Sequence, residues 1–318
     1  MIMLCYRDQG VYLRGFNYHL GKVRRDLHEL AAAKLLCNPV DILAGVGYRC
    51  NFGAGPEESL LSLAAGPFLA ALRAVPSPRA LVFHHSYAES GTLPWSENDP
   101  SPMSRARYFP AALMRHLNVD DLPYFGTFAT GCSGFGSLAT TAAGLLGTEN
   151  GSSVICLAAD IHPQGACFDG LRERILTSDC GAGFIVGRQP AGYQLLGISH
   201  YSTAREYISL VEIAKRTVQM IRALMAKQEG DLKGRDVVIH YPNIYPDTWA
   251  MVTRFLGLSP EQQIMDGFSE RAHCLSADPV ISLARQHSGR PGRLHLVVHF
   301  GNGIHLGVCV LEELAGHV

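Results

Sequence analysis

Two kinds of apolar pattern alternate along this chain. Short, nearly continuous apolar runs, typical of strands buried in a sheet, occupy residues 79–84, 153–159, 182–187, 236–240, 294–299 and 304–311. Runs with apolar residues at helical spacing lie at 57–72, 137–146, 206–227, 248–255 and 278–286. Strands that alternate with helices predict an α/β fold with buried sheets.

The order of these predicted elements repeats once along the chain. Each half has a strand that ends in a histidine, followed by a cysteine, Cys132 or Cys274, at the start of a predicted helix. A buried strand and a return strand then follow in both halves. We therefore expect two copies of one βαβ-type unit, residues 1–190 and 191–318, packed face to face with both cysteine-bearing helices between the sheets.

Composition narrows the class of protein. Of the 318 residues, 47% are hydrophobic and 17% are charged, which is typical of a compact, enzyme-like chain. The formal net charge of −1 gives no general attraction to nucleic acid or to an anionic membrane. No apolar stretch approaches the roughly 18–20 residues that a spanning helix needs. We expect neither a nucleic-acid partner nor a membrane span.

The nine cysteines are irregularly spaced and include no Cys-x-x-Cys pair. Their odd number, and the apolar runs around several of them, are typical of reduced thiols and not of a disulfide framework or a zinc ribbon. We therefore expect a cytoplasmic protein with no bound metal.

Cys132 is the most informative of these cysteines. It stands in the segment Thr127-Phe-Ala-Thr-Gly-Cys-Ser-Gly-Phe-Gly136, directly before a helix-like run. At a helix N-terminus, free N–H groups and the helix dipole stabilise a thiolate, which is the nucleophilic form of cysteine. The position favours attack on an acyl group, and a buried structural thiol is the alternative interpretation.

Two further segments supply the other parts of an acyl-transfer site. His240 ends a predicted strand and is followed by Asn243 in a His-x-x-Asn pattern. Gly301, Asn302 and Gly303 form a turn between two predicted strands, and its amides can approach a ligand closely. A nucleophile, a base and an amide-lined turn are the components that acyl transfer requires.

These segments, together with Ser178-Asp-Cys-Gly-Ala-Gly183, resemble the thiolase superfamily, and within it the ketoacyl-ACP synthase III-like enzymes. The resemblance implies a thiolase-like duplicated αβαβα layered fold. It also implies that Cys132 accepts the acyl group and that His240 is the catalytic histidine, with Asn243 in a structural role. The amide of Cys132 and an amide of the 301–303 turn would hold the oxyanion.

The same resemblance gives expectations about substrates and partners. The donor would be an acyl-CoA or the phosphopantetheine thioester of an acyl carrier protein, with no permanently bound cofactor. Family members are usually homodimers, and some are heterodimers with a related chain. A basic residue that helps to dock the carrier in some relatives is Tyr245 here. A carrier must therefore dock through other charges, or the donor is a coenzyme A thioester.

The chain departs from the family at the third catalytic position. Condensing relatives have an asparagine at the start of the second-half helix, where gapless alignment puts Cys274, next to His273. That asparagine donates a hydrogen bond to the enolate formed by decarboxylation, and a thiol is a weak donor. Asp278 is a further candidate, because it follows Cys274 by one helical turn and some acyltransferase relatives use an aspartate.

Three functions are compatible with these residues. The leading hypothesis is acyl transfer through a Cys132 acyl-enzyme in specialised, polyketide or fatty-acid-related metabolism, with the acyl chain, the acceptor and the type of donor left open. The alternatives are a carbon–carbon condensing ketosynthase that lacks the usual asparagine and an inactive structural subunit of a heterodimeric synthase. The long segment 86–107 with Trp95, and also Phe135, are candidates for a lid or a tunnel lining.

Overall fold

The computed structural model describes residues 1–75, 77–87, 90, 92–94, 106–149, 151–205, 207–228, 232, 234–301 and 303–315. The strands in this part of the chain are β1 (Ile2–Cys5), β2 (Tyr12–Leu20), β3 (Val23–Asp26), β4 (Cys50–Gly53), β5 (Ala80–His84), β6 (Thr92–Pro94), β7 (Ala106–Tyr108), β8 (Tyr124–Thr127), β9 (Ser153–Asp160), β10 (Cys180–Gly187), β11 (Tyr193–Ser202), β12 (Val237–His240), β13 (Gln263–Ile264), β14 (Leu294–Gly301) and β15 (His305–Glu313). The helices are α1 (Leu27–Ala32), α2 (Val40–Val46), α3 (Leu60–Ala74), α4 (Phe109–His116), α5 (Gly134–Leu145), α6 (Leu210–Lys227), α7 (Pro246–Phe255), α8 (Phe268–Arg271) and α9 (Asp278–Gln286).

The main sheet has two halves, and corresponding strands of the two halves follow the same order when counted inward from the two ends of the sheet. Its path runs β13-β12-β14-β15-β11-β2-β10-β9-β5-β8. In each half the outer strands pair in parallel, β5 with β8 and β9, and β12 with β13 and β14. The inner strands are antiparallel, and the two halves meet where β2 and β11 share a short stretch of pairing. The predicted boundary after residue 190 falls in the turn between β10 and β11, and the assignment of two separate units stays a prediction.

Three apolar clusters separate the layers of this fold. The first lies between the two halves of the sheet and contains the inward faces of α5 and α9. The second packs α3 and α4 on the outer face of the first half, and the third packs α6 and α7 on the outer face of the second half. The predicted αβαβα layering is confirmed, with the two cysteine-preceded helices in the middle layer.

The continuous apolar runs of the sequence correspond to strands β5, β9, β10, β12, β14 and β15, and the helical patterns to α3, α5, α6, α7 and α9. Of the strands in the main sheet, the sequence patterns missed β1, β2, β8, β11 and β13. β2 carries polar residues at irregular spacing, and a bulge in its pairing between Gly183 and Ile185 interrupts the two-residue period of side-chain direction. β8 is short and mostly exposed, so it has little apolar signal.

Two further sequence predictions concern a membrane span and a lid. Within the described residues no helix is long and apolar enough to cross a membrane. Trp95 and most of the 86–107 segment lie outside the described residues, so the predicted lid stays a prediction.

Phe135 packs in the central core, with its ring centroid 5.2 Å from that of Phe184. Because it is fully buried there and does not line the pocket at Cys132, its predicted lid or tunnel role is not supported.

Candidate active site

Cys132 lies in a tight turn directly before α5. Residues Gly131–Ser133 form one turn of 3-10 helix, and Gly131 has a φ of +48°, which glycine adopts at little cost. The thiol is partly exposed. The turn therefore presents the sulfur at the start of a helix of the middle layer, as the sequence predicted.

His84, at the end of β5, holds this turn in place. Its Nε2 donates to the carbonyl of Gly131 at 2.7 Å, and its Nδ1 accepts from the Thr127 hydroxyl at 2.9 Å. Burial lowers the pKa of His84 to about 4, so the ring is neutral near pH 7 and suits one donated and one accepted bond. A Cβ on Gly134 would lie 2.1 Å from this ring, which explains the glycine there.

Gly301, the last residue of β14, lies against the backbone of the Cys132 turn. A Cβ at this position would lie 2.1 Å from the carbonyl oxygen of Thr130 and 3.0 Å from the amide nitrogen of Cys132. Only glycine allows β14 to approach so closely. Gly303 has a φ of +76° in the following turn, and Asn302 lies outside the described residues. The turn is thus next to the Cys132 amide, and its role in an oxyanion hole stays a prediction.

His273 is the imidazole that lies beside Cys132. Its Nδ1 lies 2.5 Å from Oδ2 of Asp278, its ring and the Cys132 thiol line the same pocket, and the thiol is close enough to influence the pKa of the ring. Because Nδ1 is engaged by the carboxylate, Nε2 is the nitrogen left for the sulfur. Burial alone would lower the pKa of His273, but the charge and hydrogen bond of Asp278 outweigh it, with a further contribution from Cys132, and raise the pKa to about 10.

Asp278 anchors this arrangement from the first turn of α9. It pairs with the guanidinium of Arg271 and accepts the backbone N–H groups of Cys274 at 3.0 Å and Asn243 at 2.8 Å. Burial raises the pKa of the carboxyl, but the charges of Arg271 and His273 outweigh it and hold the pKa well below the usual range. The result is a buried carboxylate with its lone pairs occupied, which fixes the orientation of His273.

The backbone around His273 is unusual for residues other than glycine. Ala272 and Leu275 have φ values of +53° and +55°. His273 also forms a backbone bridge to the segment before β10, donating to Leu176 and accepting from Ser178. These bonds stabilise the strained residues and direct the imidazole toward Cys132.

The structure does not bring His240 to Cys132. Its Nδ1 lies 2.7 Å from the Ser282 hydroxyl and its Nε2 lies 2.9 Å from Nδ1 of His295, which in turn contacts Glu313 at 2.9 Å. His240 is 1% exposed, and burial lowers its pKa well below the ordinary value. Both ring nitrogens are thus occupied inside the core. The prediction that His240 is the base beside Cys132 is not supported, and His273 occupies that place.

Cys274 and Asn243 are both buried away from the pocket. Cys274 is fully buried and lies next to Cys180, whose thiol contacts the Cys274 carbonyl at 3.3 Å. The side-chain amide of Asn243 donates to the carbonyls of Asp266 and Ala272. Asn243 therefore ties the end of β12 to the loop that carries His273. Cys274, the gapless match to the family's asparagine, has no access to the reacting atoms.

A pocket opens at Cys132, with a cavity volume of about 280 Å³. Its lining includes Ser86, Tyr87, Gly131, Cys132, His162, Cys167, Phe168, Asp169, Glu173, Ile244, His273 and Phe300.

Sequence reasoning missed Tyr87 and His162 in this lining. Asp160, at the end of β9, accepts the backbone N–H groups of Ser86 and Tyr87 and so places both at the pocket. Burial, with the nearby Cys132, raises the pKa of the Tyr87 phenol above its ordinary value, so Tyr87 stays protonated. A buried acidic residue at a strand end, here Asp160, was the available signal, because such positions collect at the ligand-binding edge of a sheet.

The His273–Asp278 pair makes stability fall as pH rises. The folded protein keeps His273 protonated up to about pH 10, whereas an unfolded chain releases that proton near pH 6.5. The stabilisation is therefore complete below about pH 6.5 and is lost as pH rises toward about 10. We expect denaturant unfolding to give a declining free energy over this range, and a flatter decline for His273→Gln. Equal slopes for the two proteins would contradict the raised pKa.

Comparisons with known proteins identify the fold. No protein-family model matches the chain, and no curated protein matches its sequence. Solved structures do match. ChlB3, whose name describes it as an acyltransferase, has a TM-score of 0.76 and 15% identity, with 96% of this chain and 98% of that chain covered. Ketoacyl-ACP synthase III (FabH) of Pseudomonas aeruginosa PAO1 has a TM-score of 0.72 and 17% identity, covering 97% and 99%. OleA of Xanthomonas campestris has a TM-score of 0.73 and 14% identity, covering 96% and 99%. The thiolase-like fold expected from the sequence is confirmed over nearly the whole chain.

Proposed function

We propose that this protein is a thioester-dependent acyltransferase in which Cys132 is the nucleophile, His273 transfers the proton and Asp278 orients His273. The observation that carries the proposal is that Cys132 and His273 line one pocket side by side, with His273 held by Asp278 at 2.5 Å. A nucleophile, a base and an orienting carboxylate that follow one another in space in this order are the parts of a catalytic triad.

In the first step the Cys132 thiolate attacks the carbonyl carbon of an acyl thioester. The raised pKa of His273 keeps a protonated imidazole beside the sulfur near neutral pH. The tetrahedral oxyanion forms near the Cys132 amide and the Gly301 turn. The donor sulfur then leaves with a proton from Nε2 of His273, and the acyl group stays on Cys132.

In the second step the acceptor takes the acyl group. His273, now neutral, removes the proton of an acceptor hydroxyl or amine as that atom attacks the Cys132 thioester. The Cys132 thiolate leaves, and it again faces a protonated His273. Asp278 stays ionised throughout, because its role is to stabilise the imidazolium and hold the ring.

An oxygen or nitrogen acceptor suits this site better than decarboxylative condensation. Condensation needs hydrogen-bond donors for the enolate of a malonyl thioester, and no side-chain amide lines the described part of the pocket. The amide of Asn243 is bonded to two carbonyls, and Cys274 is sealed in the core. The likeness to ChlB3, by name an acyltransferase, agrees with this choice.

A donor comparison tests the reaction type. The protein is incubated with acetyl-CoA, malonyl-CoA and the corresponding carrier-protein thioesters, with and without a panel of alcohols and amines. We expect an acylated acceptor, with no release of CO₂ from malonyl donors. Release of CO₂ coupled to a β-ketoacyl product would instead establish condensation. The absence of any acyl adduct across the panel would favour an inactive subunit.

We also propose that the chain forms a homodimer through β8. This strand is the last of the sheet path, and its outer edge pairs with no other strand of the described residues. Tyr124 and Phe125 on β8 and Phe128 just after it are exposed, Phe128 by 68%. An unpaired edge with exposed aromatic residues is suited to pairing with a second copy.

Phe128→Glu is expected to convert this dimer into a monomer, because it places a charge in the apolar contact. Analytical ultracentrifugation gives the mass of the variant and of the unchanged protein. Phe255→Glu, on α7 near the other end of the sheet path, is the matched control and should leave the mass unchanged. A monomeric unchanged protein, or a dimeric Phe128→Glu variant, would exclude this interface.

A further inference from the structure

Three potential metal ligands lie close together, and two of them line the pocket at Cys132. The Sγ atoms of Cys37 and Cys167 and a carboxylate oxygen of Asp169 all lie within 4.8 Å of one another. Cys37 is exposed, Cys167 is partly exposed and Asp169 is 6% exposed. Sequence spacing gave no sign of this cluster, because Cys37 and Asp169 are 132 positions apart.

The segments that carry these ligands are joined by hydrogen bonds of the backbone and of the Asp169 carboxylate. Phe168 donates its N–H to the Leu35 carbonyl at 2.8 Å. Oδ1 of Asp169 accepts the N–H of Cys37 at 2.6 Å, and Oδ2 accepts both the N–H and the side-chain amide of Asn38. The ligand positions are thus held before any ion binds, which lowers the ordering cost of binding.

The donor set is suited to one class of ion. Oδ1 of Asp169 carries one hydrogen bond and keeps a second lone pair free for a metal. Two thiolates and one carboxylate oxygen are typical ligands of Zn²⁺, at about 2.3 Å from sulfur and about 2.0–2.2 Å from oxygen. Magnesium and calcium prefer oxygen-only sites, and soft sulfur ligands select against them.

We propose that Cys37, Cys167 and Asp169 bind a Zn²⁺ ion, with the fourth position of a tetrahedral site open to solvent or to a ligand. The two thiols release their protons to solvent when the ion binds. Cys167 and Asp169 also line the pocket that contains Cys132. The bound ion therefore fastens the 167–170 segment of the pocket wall to the 35–38 segment.

The proposal is tested by measuring zinc binding to the reduced protein that carries Cys132→Ala. This substitution removes the other accessible thiol of the pocket. Competition with a chromophoric chelator measures the affinity, and Co²⁺ reports thiolate ligation through its charge-transfer absorption. We expect one ion per chain. Cys37→Ser and Cys167→Ser should each weaken binding by more than about 100-fold, and Asp169→Asn by about tenfold or more.

Cys5→Ser is the matched control, because Cys5 is exposed on β1 and is not among these ligands. It should leave the affinity unchanged. Cys37 is exposed, so its replacement by serine is not expected to disturb folding, and thermal unfolding checks this. Hydrogen exchange at 35–38 and 167–170 should slow when zinc is added. No binding, equal binding by all variants, or a Cys37–Cys167 disulfide in a protein whose reduced form ignores zinc would overturn the proposal.

Discussion

Replacement of Cys132 by alanine is expected to abolish acyl transfer. The thiol is the partly exposed sulfur that lines the pocket beside the His273 imidazole. Removal of the nucleophile from a triad that acts as a unit leaves only binding and oxyanion stabilisation, so kcat should fall by about 10⁴-fold or more. Release of free donor thiol, measured continuously with a chromogenic disulfide, gives the rate.

Cys5→Ala is the control for this measurement, because Cys5 is exposed on β1 and does not line the pocket. Its thiol release should equal that of the unchanged protein. Cys132→Ser should retain the fold and lose most activity, since a hydroxyl is a poorer nucleophile without a strong base. Undiminished turnover by Cys132→Ala would remove the basis of the proposed chemistry.

Replacement of His273 by glutamine has the second largest expected effect. Glutamine keeps a side chain of similar length and polarity but cannot shuttle a proton between the sulfur, the leaving thiol and the acceptor. We expect kcat/KM to fall by about 10³-fold, within the range that general acid–base catalysis contributes. Asp278→Asn should follow in the same direction, because the imidazolium loses its charge partner.

His240→Gln tests whether His273 or His240, the histidine predicted from the sequence, is the base. His240 is bonded to Ser282 and His295 in the core. Its replacement should lower the free energy of unfolding by about 1–3 kcal/mol while kcat/KM of the folded protein stays within about an order of magnitude. A large loss of kcat/KM in well-folded His240→Gln, with His273→Gln nearly unaffected, would reverse the assignment of the base.

The contrast between these two histidines shows which features of the fold and of the site the sequence could predict. The apolar runs and their repeated order were enough to predict the layers, because buried strands and core-facing helices have strong periodic signals. The position of Cys132 was also predictable, because the small residues before it and the helix after it are features of the local sequence. Its geometry depends on the adjacent Gly131 and on α5.

The partner of Cys132 was harder to predict because it depends on contacts between distant segments. His240 has the expected strand-end position, but its ring is turned into the core by Ser282 and His295, which lie 42 and 55 positions away. His273 reaches the pocket because Ala272 and Leu275 adopt positive φ values that sequence patterns do not predict for these residues. The gapless alignment therefore assigned the third catalytic position to Cys274, whereas the structure brings His273, the preceding residue, to the pocket.

Asp278 lies between these two cases. The sequence suggested it as a third member because it follows Cys274 by one helical turn. In the structure its carboxylate pairs with the side chain of His273 and binds only the backbone of Cys274, and its other partners, Arg271 at the end of α8 and the backbone of Asn243 after β12, come from two separate segments. Local spacing could identify the residue, and only the packed loops could assign it a partner.

In the proposed reaction an acyl group resides on Cys132 during turnover. Incubation with acyl-CoA or acyl-carrier donors in the absence of acceptor, followed by acid quenching and peptide mass spectrometry, locates that group. We expect one acyl mass on the peptide that contains Cys132, formed quickly in the unchanged protein and much more slowly in His273→Gln. Acyl groups distributed over exposed thiols such as Cys5, or found on no cysteine with any donor that turns over, would contradict it.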